Sequence, residues 1–261
     1  MTRAFAIVAL AAASTVASAD FSSFIIREGG GNPPTIQANN TYVPNATEFI
    51  ISVGGMKAAL GSNDVNGQTL NDLDRMKIVR HDDPTRFTAG SGPAVAPYFN
   101  IWITDGLGNF AVVANEPSNP SFSAFRTAGP GNGFTYDFSM ADISNEPAKI
   151  YETNGWNTDT SWVHVATGKT NATMKFSDLL GFTVLAPDAS YITGPNGVGS
   201  GAPRELGTNI AYGFNWVFGD TLSNYVSGAE GYVVSGALVP APASAVLLGL
   251  GGLAATRRRR A

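Results

Sequence analysis

The chain has 261 residues without a cysteine, and its 20 acidic and 16 basic side chains give a net charge of −4. The absence of cysteine excludes a disulfide framework, so a folded domain has to be stabilised by its core. The acidic balance argues against nucleic acid as a partner. With 30 glycines, 15 prolines and 14% charged residues, the composition favours short strands joined by turns.

The first 19 residues have the three parts of a secretory signal peptide. Arg3 supplies the basic start, and an apolar stretch runs from Ala4 to Ala13. Ala17 and Ala19 form the A-x-A pattern that precedes a cleavage site. We therefore predict an exported protein whose mature chain begins at Asp20.

Residues 20–237 predict one antiparallel β-sandwich. Short β-rich stretches are separated by Gly, Asn and Pro residues, a pattern typical of sandwiches and barrels. The turn signal at Asp105–Asn109, between two apolar stretches, predicts a hairpin. The predicted strands are Glu48–Val53, Met76–Arg80, Tyr98–Asp105, Phe110–Glu116, Phe134–Ser139, Ser161–Thr167, Gly181–Ala186, Gly213–Asp220 and Gly231–Leu238.

Two segments add detail to this fold prediction. In Gly67–Asp82 a Thr-Leu-x-Asp-Leu turn leads into a strand, and in Ala96–Gly106 an Ala-Pro-Tyr sequence opens another. Lys175–Ala186 repeats a similar turn before a strand. The pattern resembles secreted jelly-roll sandwiches of the concanavalin and laminin-G type. That resemblance implies an all-β jelly-roll, a fold that often binds glycans, although fold alone does not determine function.

Two acidic segments offer the oxygen ligands that calcium prefers. Asp64 and Asn66 match the start of an EF-hand loop, but the rest of that ligand pattern is missing. Asp82 and Asp83 follow a predicted strand and precede Pro84. A calcium site using these residues is one interpretation, and an Asp-capped turn before Pro84 is the other. No other cofactor is expected.

The motifs that would indicate catalysis are incomplete. A serine–histidine triad has only His81 and His164 as possible bases, and we expect His164 to be a packing or surface residue in a strand. Gly168-Lys169-Thr170 lacks the earlier glycine of a phosphate-binding loop and predicts a hairpin turn. The glutamates show no pair at a spacing useful for glycoside hydrolysis. The sequence therefore favours a non-enzymatic protein.

Aromatic side chains give two candidate sugar-binding features. One is an alternating row at the predicted strand near the C-terminus, which either fills the core or forms a platform; it consists of Tyr212, Phe214, Trp216 and Phe218. The other is a polar segment flanked by two tryptophans, which either stacks on a glycan or anchors a loop; it contains Trp156, Asn157, Asp159 and Trp162.

Residues 238–261 form a tail in three parts. Pro240 and Pro242 prevent a helix from entering from upstream, and the apolar stretch from Ala243 to Thr256 is short for a membrane span. The basic cluster that follows is expected on the cytoplasmic side; it consists of Arg257, Arg258, Arg259 and Arg260.

This order resembles the PEP-CTERM sorting signal of bacterial envelope proteins, with Ala241 in the position where that family usually has glutamate. The resemblance implies processing by a membrane exosortase, a transient membrane anchor, and a sorting role for the tail.

Together these features predict an exported, envelope-sorted bacterial surface or extracellular-matrix protein with a structural or adhesive role. The two termini hold five of the basic residues, so the central region has 11 against 20 acidic residues, a net charge of −9. This charge argues against nucleic acid and anionic lipid, and leaves extracellular polysaccharide as the candidate partner. The alternative is a secreted polysaccharide-degrading enzyme, either a glycoside hydrolase or a lyase.

Overall fold

The computed structural model describes residues 19–86, 96–115, 120–151, 161–194, 199, 201–219 and 231–239. Ala17 and the predicted sorting residues Pro240, Pro242 and Arg257–Arg260 lie outside these ranges. Within the ranges, none of the helices has the length and apolar character needed to cross a bilayer.

The described chain is all-β, with two antiparallel sheets and a few short helices. Its strands are β1 Ser22–Arg27, β2 Thr35–Ala38, β3 Thr47–Ile50, β4 Lys57–Ser62, β5 Met76–Arg80, β6 Tyr98–Thr104, β7 Phe110–Ala114, β8 Arg126–Ala128, β9 Phe134–Phe138, β10 Lys149–Tyr151, β11 Thr183–Val184, β12 Phe214–Phe218 and β13 Tyr232–Leu238. The helices are α1 Trp162–Thr167 and α2 Ala189–Thr193, with 3-10 helices at Leu70–Asp72, Pro84–Arg86, Pro120–Phe125 and Phe176–Asp178.

The large sheet has the order β1-β4-β12-β6-β7-β10, with β11 paired to β6. The small sheet has the order β2-β3-β13-β5-β9-β8. The last two strands of the described chain each lie inside a sheet: β12 between β4 and β6, and β13 between β3 and β5. Both sheets therefore depend on the C-terminal strands for their continuity.

The two sheets pack face to face through aromatic side chains. Phe49 of the small sheet stacks on Phe218 of the large sheet with ring centroids 4.1 Å apart. Tyr136 lies parallel to Trp216 at 6.2 Å. Each of these pairs joins one strand from each sheet within a single buried cluster. The arrangement is a β-sandwich, which confirms the predicted fold class at this level.

The hairpin predicted at Asp105–Asn109 is present. β6 and β7 pair in register from Thr104 and Phe110. Asp105 accepts a hydrogen bond from the Leu107 amide at 2.8 Å and one from Asn109 Nδ2 at 2.6 Å. The Asp105 side chain therefore stabilises the turn between β6 and β7, where the sequence predicted a hairpin.

The strand predicted at Ser161–Thr167 was wrong, because this segment forms helix α1. Ser161 is the N-cap and accepts a hydrogen bond from the His164 amide, and Gly168 ends the helix with φ 66°. Gly168-Lys169-Thr170 is therefore a helix C-terminus rather than a hairpin turn. His164 is buried in this helix, so it is a packing residue outside any strand. The alternation of valines suggested a strand, but the serine and glycine caps decide the structure.

Candidate functional site

The central strands of the large sheet are buried on both faces. Every residue of β4, β6 and β12 is buried. The segment 201–211 lies over its outer face, where Trp102 Nε1 donates to the Pro203 carbonyl at 2.8 Å and Lys57 Nζ donates to the Gly201 carbonyl at 3.1 Å. A second apolar cluster forms beneath this cover, and includes Trp102, Val112, Ile192, Ala202 and Ala211.

The small sheet is open on the outer face of β5 and β9. Along β5 the buried residues Met76, Ile78 and Arg80 alternate with partly exposed Lys77 and Val79. β9 repeats the pattern, with Thr135 partly exposed and Asp137 exposed. Because successive side chains of a strand point to opposite faces, these residues form one outward surface. We call the surface made by Lys77, Val79, Thr135, Asp137 and Ser235 the open face.

The register of the small sheet places the open-face residues side by side. Val79 is opposite Ser235 on β13 and opposite Thr135 on β9. Lys77 is opposite Asp137. The open face therefore spans three adjacent strands, with hydroxyl, ammonium and carboxylate groups on a rigid backbone.

Charges on the open face are paired. Arg75 Nε and Nη2 donate to the two carboxylate oxygens of Asp137, each at 2.7 Å, and Lys77 Nζ lies 3.9 Å from Oδ2. The hydrogen bond from Arg75 is the main cause that lowers the pKa of Asp137, with the charges of Arg75 and Lys77 acting in the same direction. Asp137 is therefore a carboxylate at neutral pH, positioned to accept hydrogen bonds.

One end of the open face is occupied by His81. Its Nε2 lies 2.7 Å from Ser235 Oγ, and its amide donates to the Val233 carbonyl at 2.8 Å. Burial lowers the pKa of His81, with the nearby charge of Asp82 acting in the opposite direction. The ring is only 2% exposed, because the Tyr42 ring stacks on it with centroids 5.9 Å apart.

The predicted calcium residues Asp64 and Asn66 serve local contacts. Asp64 Oδ2 accepts a hydrogen bond from the Asp20 amide at 2.8 Å. Asn66 donates to Asn63 Oδ1 at 3.1 Å and accepts from the Ala186 amide at 3.3 Å. These contacts tie the segment after β4 to neighbouring loops.

Asp82 is fully buried in an ion pair with Arg80. Its Oδ2 accepts from Arg80 Nε at 3.0 Å and Nη2 at 2.7 Å, and its Oδ1 accepts from the Val233 amide at 2.7 Å. Asp83 Oδ1 accepts from the amide and hydroxyl of Thr85, at 2.8 and 2.7 Å. Asp83 therefore caps the turn at Pro84, which is the second interpretation that the sequence offered.

Asp64 follows a strand of the large sheet and Asp82 follows a strand of the small sheet, so the two candidate calcium segments lie on separate sheets. Across the described ranges, no group of three or more His, Asp or Glu side chains is arranged to hold a metal ion.

The two buried acidic side chains of the described chain are Asp82 and Glu48. Glu48 Oε2 accepts from Gln37 Nε2 at 2.8 Å and Asn39 Nδ2 at 3.1 Å, and its Oε1 accepts from the Gly231 amide at 2.5 Å. Both carboxylates are therefore held in hydrogen-bond networks of the fold itself.

Of the predicted tryptophan site, only Trp162 lies in the described residues; Trp156, Asn157 and Asp159 fall outside them. Trp162 is partly buried in α1, contacts Phe182 edge-on at 5.2 Å and donates from Nε1 to the Phe110 carbonyl at 3.3 Å. These contacts are those of a side chain that anchors α1 to the sandwich.

The aromatic row near the C-terminus fills the core. Phe214, Trp216 and Phe218 are fully buried in the cluster between the sheets. Tyr212 precedes β12 and stacks on Phe24 at 4.8 Å. The core interpretation of this row is therefore confirmed.

Sequence reasoning missed the open face and Tyr42. The alternation within "MKIVR" and "FTYDF" carried a signal for an outward surface, because Lys77, Thr135 and Asp137 alternate with large apolar residues. Tyr42 lies in a loop of turn-forming residues and had no sequence signal. The chain matches no protein-family model, no curated protein and no solved structure.

Proposed function

We propose that this protein is an exported bacterial surface or extracellular-matrix protein that binds polysaccharide and does not cleave it. The observation that carries the proposal is the open face: the small sheet exposes mostly polar side chains along β5 and β9, while the central strands of the large sheet are buried on both faces.

A polysaccharide suits this surface chemically. Sugar hydroxyls both donate and accept hydrogen bonds, and the open face offers hydroxyls on Thr135 and Ser235, an acceptor on Asp137 and a donor on Lys77. The groups stand on paired strands, so little conformational freedom is lost when they bind. This favours a binding surface for an extended polymer chain.

The buried carboxylates support a binding role over hydrolysis. Glycoside hydrolysis uses two carboxylates on either side of the bond that breaks. Asp82 and Glu48 are committed to Arg80 and to the loop that contains Asn39. The exposed Asp137 is committed to Arg75. We therefore assign Asp82 and Glu48 to the fold and Asp137 to the binding surface.

The finer features of the sequence belong to the same proposal. The sandwich is of the jelly-roll type, which is supported by two antiparallel sheets that are each completed by distant strands. The signal peptide exports the chain, and the tail with Pro240, Pro242 and Arg257–Arg260 makes it a substrate of an exosortase. The mature protein then resides at the cell envelope or in the matrix outside it.

The test blocks the open face with one long charged side chain. Val79→Arg places a guanidinium at the centre of the face, between Ser235 and Thr135. Leu107→Arg adds the same side chain at a turn residue that is 86% exposed. The full chain, purified in mild detergent, is measured for retention by a panel of insoluble and soluble polysaccharides by affinity electrophoresis and pull-down.

We expect the unaltered chain and Leu107→Arg to bind the same polysaccharides, and Val79→Arg to lose at least about tenfold in affinity, equivalent to 1.4 kcal/mol. If Val79→Arg and Leu107→Arg bound polysaccharide equally well, the binding site would have to lie outside the open face. Release of reducing sugar by the unaltered chain would replace the proposal with the enzymatic alternative.

A further inference from the structure

Tyr42 is the aromatic side chain that stands beside the open face. It is 39% exposed, although large aromatic rings of this chain mostly lie in the core. It belongs to the loop between β2 and β3 and reaches the ring of His81, which directly follows β5. Tyr42 therefore lies at the end of the open face where Ser235 and His81 meet.

The contact with His81 fixes the orientation of the Tyr42 ring. The two ring planes are within 19° of parallel with centroids 5.9 Å apart, so the imidazole packs against the phenol in an offset stack. His81 is itself held by Ser235 Oγ and by the Val233 carbonyl. A ring held in this way loses little rotational freedom on binding, which lowers the entropic cost of a contact with its exposed part.

A glycine and a polar pair lie in the surroundings of Tyr42. Gly131 lies beside the ring, and a Cβ at that position would be 4.0 Å from Tyr42 Cε1, so a larger side chain would crowd this edge. Its φ of +66° also favours glycine. The next residue, Asn132, donates to Asp83 Oδ2 at 3.3 Å, so an exposed amide and a carboxylate are bonded to each other directly after Gly131.

We propose that Tyr42, backed by His81 and flanked by Asp83 and Asn132, is a stacking subsite for one pyranose ring of a neutral polysaccharide. The inference rests on the proposed function, and it names the place on the open face where a sugar is held. The C–H bonds on one side of a pyranose carry slight positive charge and are attracted to the electron-rich face of an aromatic ring. Carboxylate and amide groups at the ring edge then bind the hydroxyls.

Charge selects a neutral polymer over an acidic one. The central region carries a net charge of −9 once the five basic residues of the termini are set aside, so a uronic-acid polymer is repelled at long range. The carboxylate of Asp83, which is bonded to Asn132, has the same sign as a sugar carboxylate and would repel it. A polymer of neutral hexoses meets neither the long-range repulsion by the net charge nor the local repulsion by Asp83.

The test compares two tyrosine variants and one control variant on the full chain. Tyr42→Ala removes the ring, Tyr42→Phe keeps the ring without its hydroxyl, and Leu107→Ala truncates an apolar side chain that is 86% exposed away from the subsite. Binding is measured by isothermal titration calorimetry with cellohexaose, laminarihexaose, mannohexaose and xylohexaose, and with polygalacturonate as the acidic comparison.

We expect at least one neutral hexasaccharide to bind, with about tenfold weaker binding by Tyr42→Ala. Tyr42→Phe and Leu107→Ala should stay within about twofold of the unaltered chain, because the stacking ring is present in both. Equal affinity of Tyr42→Ala and the unaltered chain overturns the subsite, and if Val79→Arg still loses binding the proposed function stands. Preference for polygalacturonate overturns the assignment to neutral sugars. No binding of any of these glycans by the unaltered chain overturns the subsite together with the proposed function.

Discussion

The two sheets of this sandwich have the same antiparallel geometry and opposite relations to solvent. β4, β6 and β12 of the large sheet are buried at every position, whereas β5 and β9 of the small sheet bury alternate residues. The difference arises from what covers each sheet. Segment 201–211 is bonded to Trp102 and Lys57 across the large sheet, and the centre of the small sheet keeps partly exposed side chains. A polar open face is therefore a property of one sheet.

Asparagine side chains hold part of the cover on the large sheet. Asn63 Oδ1 accepts from the Gly213 amide at 2.9 Å, and Asn63 Nδ2 donates to the Ala211 carbonyl at 3.3 Å. Asn66 bonds to Asn63 and to the Ala186 amide. These bonds connect the turn after β4 to the segment that leads into β12. The residues that resembled a calcium loop thus secure the covered side of the sandwich.

The largest contrast between the sheets is expected from truncation of a side chain in the shared core. Trp216→Ala leaves a cavity between the sheets, beside Tyr136 and Phe138, and should lower the free energy of unfolding by about 3–5 kcal/mol. Val79→Ala on the open face removes partly exposed atoms and should cost less than about 1 kcal/mol. Urea unfolding followed by tryptophan fluorescence and circular dichroism measures both, and similar losses would contradict the assignment of the two faces.

A second contrast separates a buried ion pair from an exposed one. Asp82→Ala leaves the Arg80 guanidinium buried without its carboxylate partner, so we expect a loss of about 3 kcal/mol in the free energy of unfolding. Asp137→Ala breaks the exposed pair with Arg75 and serves as the matched control, with a much smaller effect. Chemical unfolding at pH 7 distinguishes the two. A larger loss for Asp137→Ala would mean that the burial of the two pairs has been assigned to the wrong sheet faces.

Adding one methyl group to β4 tests how closely the large sheet is covered. A Cβ on Gly61 would lie 2.6 Å from Tyr212 Cβ and 2.8 Å from Asn215 Oδ1, closer than van der Waals contact. Gly61→Ala should therefore destabilise the fold by about 1–3 kcal/mol. Gly181→Ala is the control, since a Cβ there meets nothing within 4 Å. A thermal midpoint for Gly61→Ala equal to that of Gly181→Ala would show that the cover over β4 is loose.

The smallest effect concerns the pH dependence of the open face. The pKa of Asp137 is lowered in the folded chain, chiefly by the hydrogen bond from Arg75. The unfolded chain therefore binds the proton more readily, so the stability contributed by this carboxylate is present above its unfolded pKa of about 3.9 and is lost as pH falls through the lower folded value. Thermal unfolding between pH 6 and pH 2.5 should show a slightly flatter acid limb for Asp137→Asn. An identical acid limb in both proteins would place the pH dependence in other carboxylates.

The predicted strands succeeded where side chains alternate or are β-branched. Met76–Arg80 is β5 without any shift of its ends, and the strands predicted from Phe110 and Phe134 begin at those residues. The strands predicted from Gly213 and Gly231 begin one residue later, at Phe214 and Tyr232. β4 was missed because "KAALGS" consists mainly of small residues with no β preference. Within β4, Gly61 has to lack a side chain because a Cβ there would collide with Tyr212 and Asn215. Tertiary packing of this kind leaves no local signal.

The candidate site was less predictable than the fold. Alternation in β5 and β9 indicates one outward face, but the sequence does not say which sheet remains uncovered, since segment 201–211 is distant in sequence from Trp102. Tyr42 and His81 are 39 positions apart in the chain and meet only through the loop between β2 and β3. The aromatic residues that drew attention in the sequence were large and numerous, and that is the property that places them in a core.

The most direct test of the central claim is amide hydrogen–deuterium exchange of the full chain, with and without a saturating neutral hexasaccharide that binds it. We predict slower exchange in peptides that contain the Tyr42 loop, the end of β5 and the turn at Gly131–Gly133. Exchange should be unchanged in the Asp105–Asn109 turn and in segment 201–211, which are exposed or lie on the other sheet. Protection confined to segment 201–211 or to the Asp105–Asn109 turn would contradict the account, because the bound sugar would then lie away from the open face.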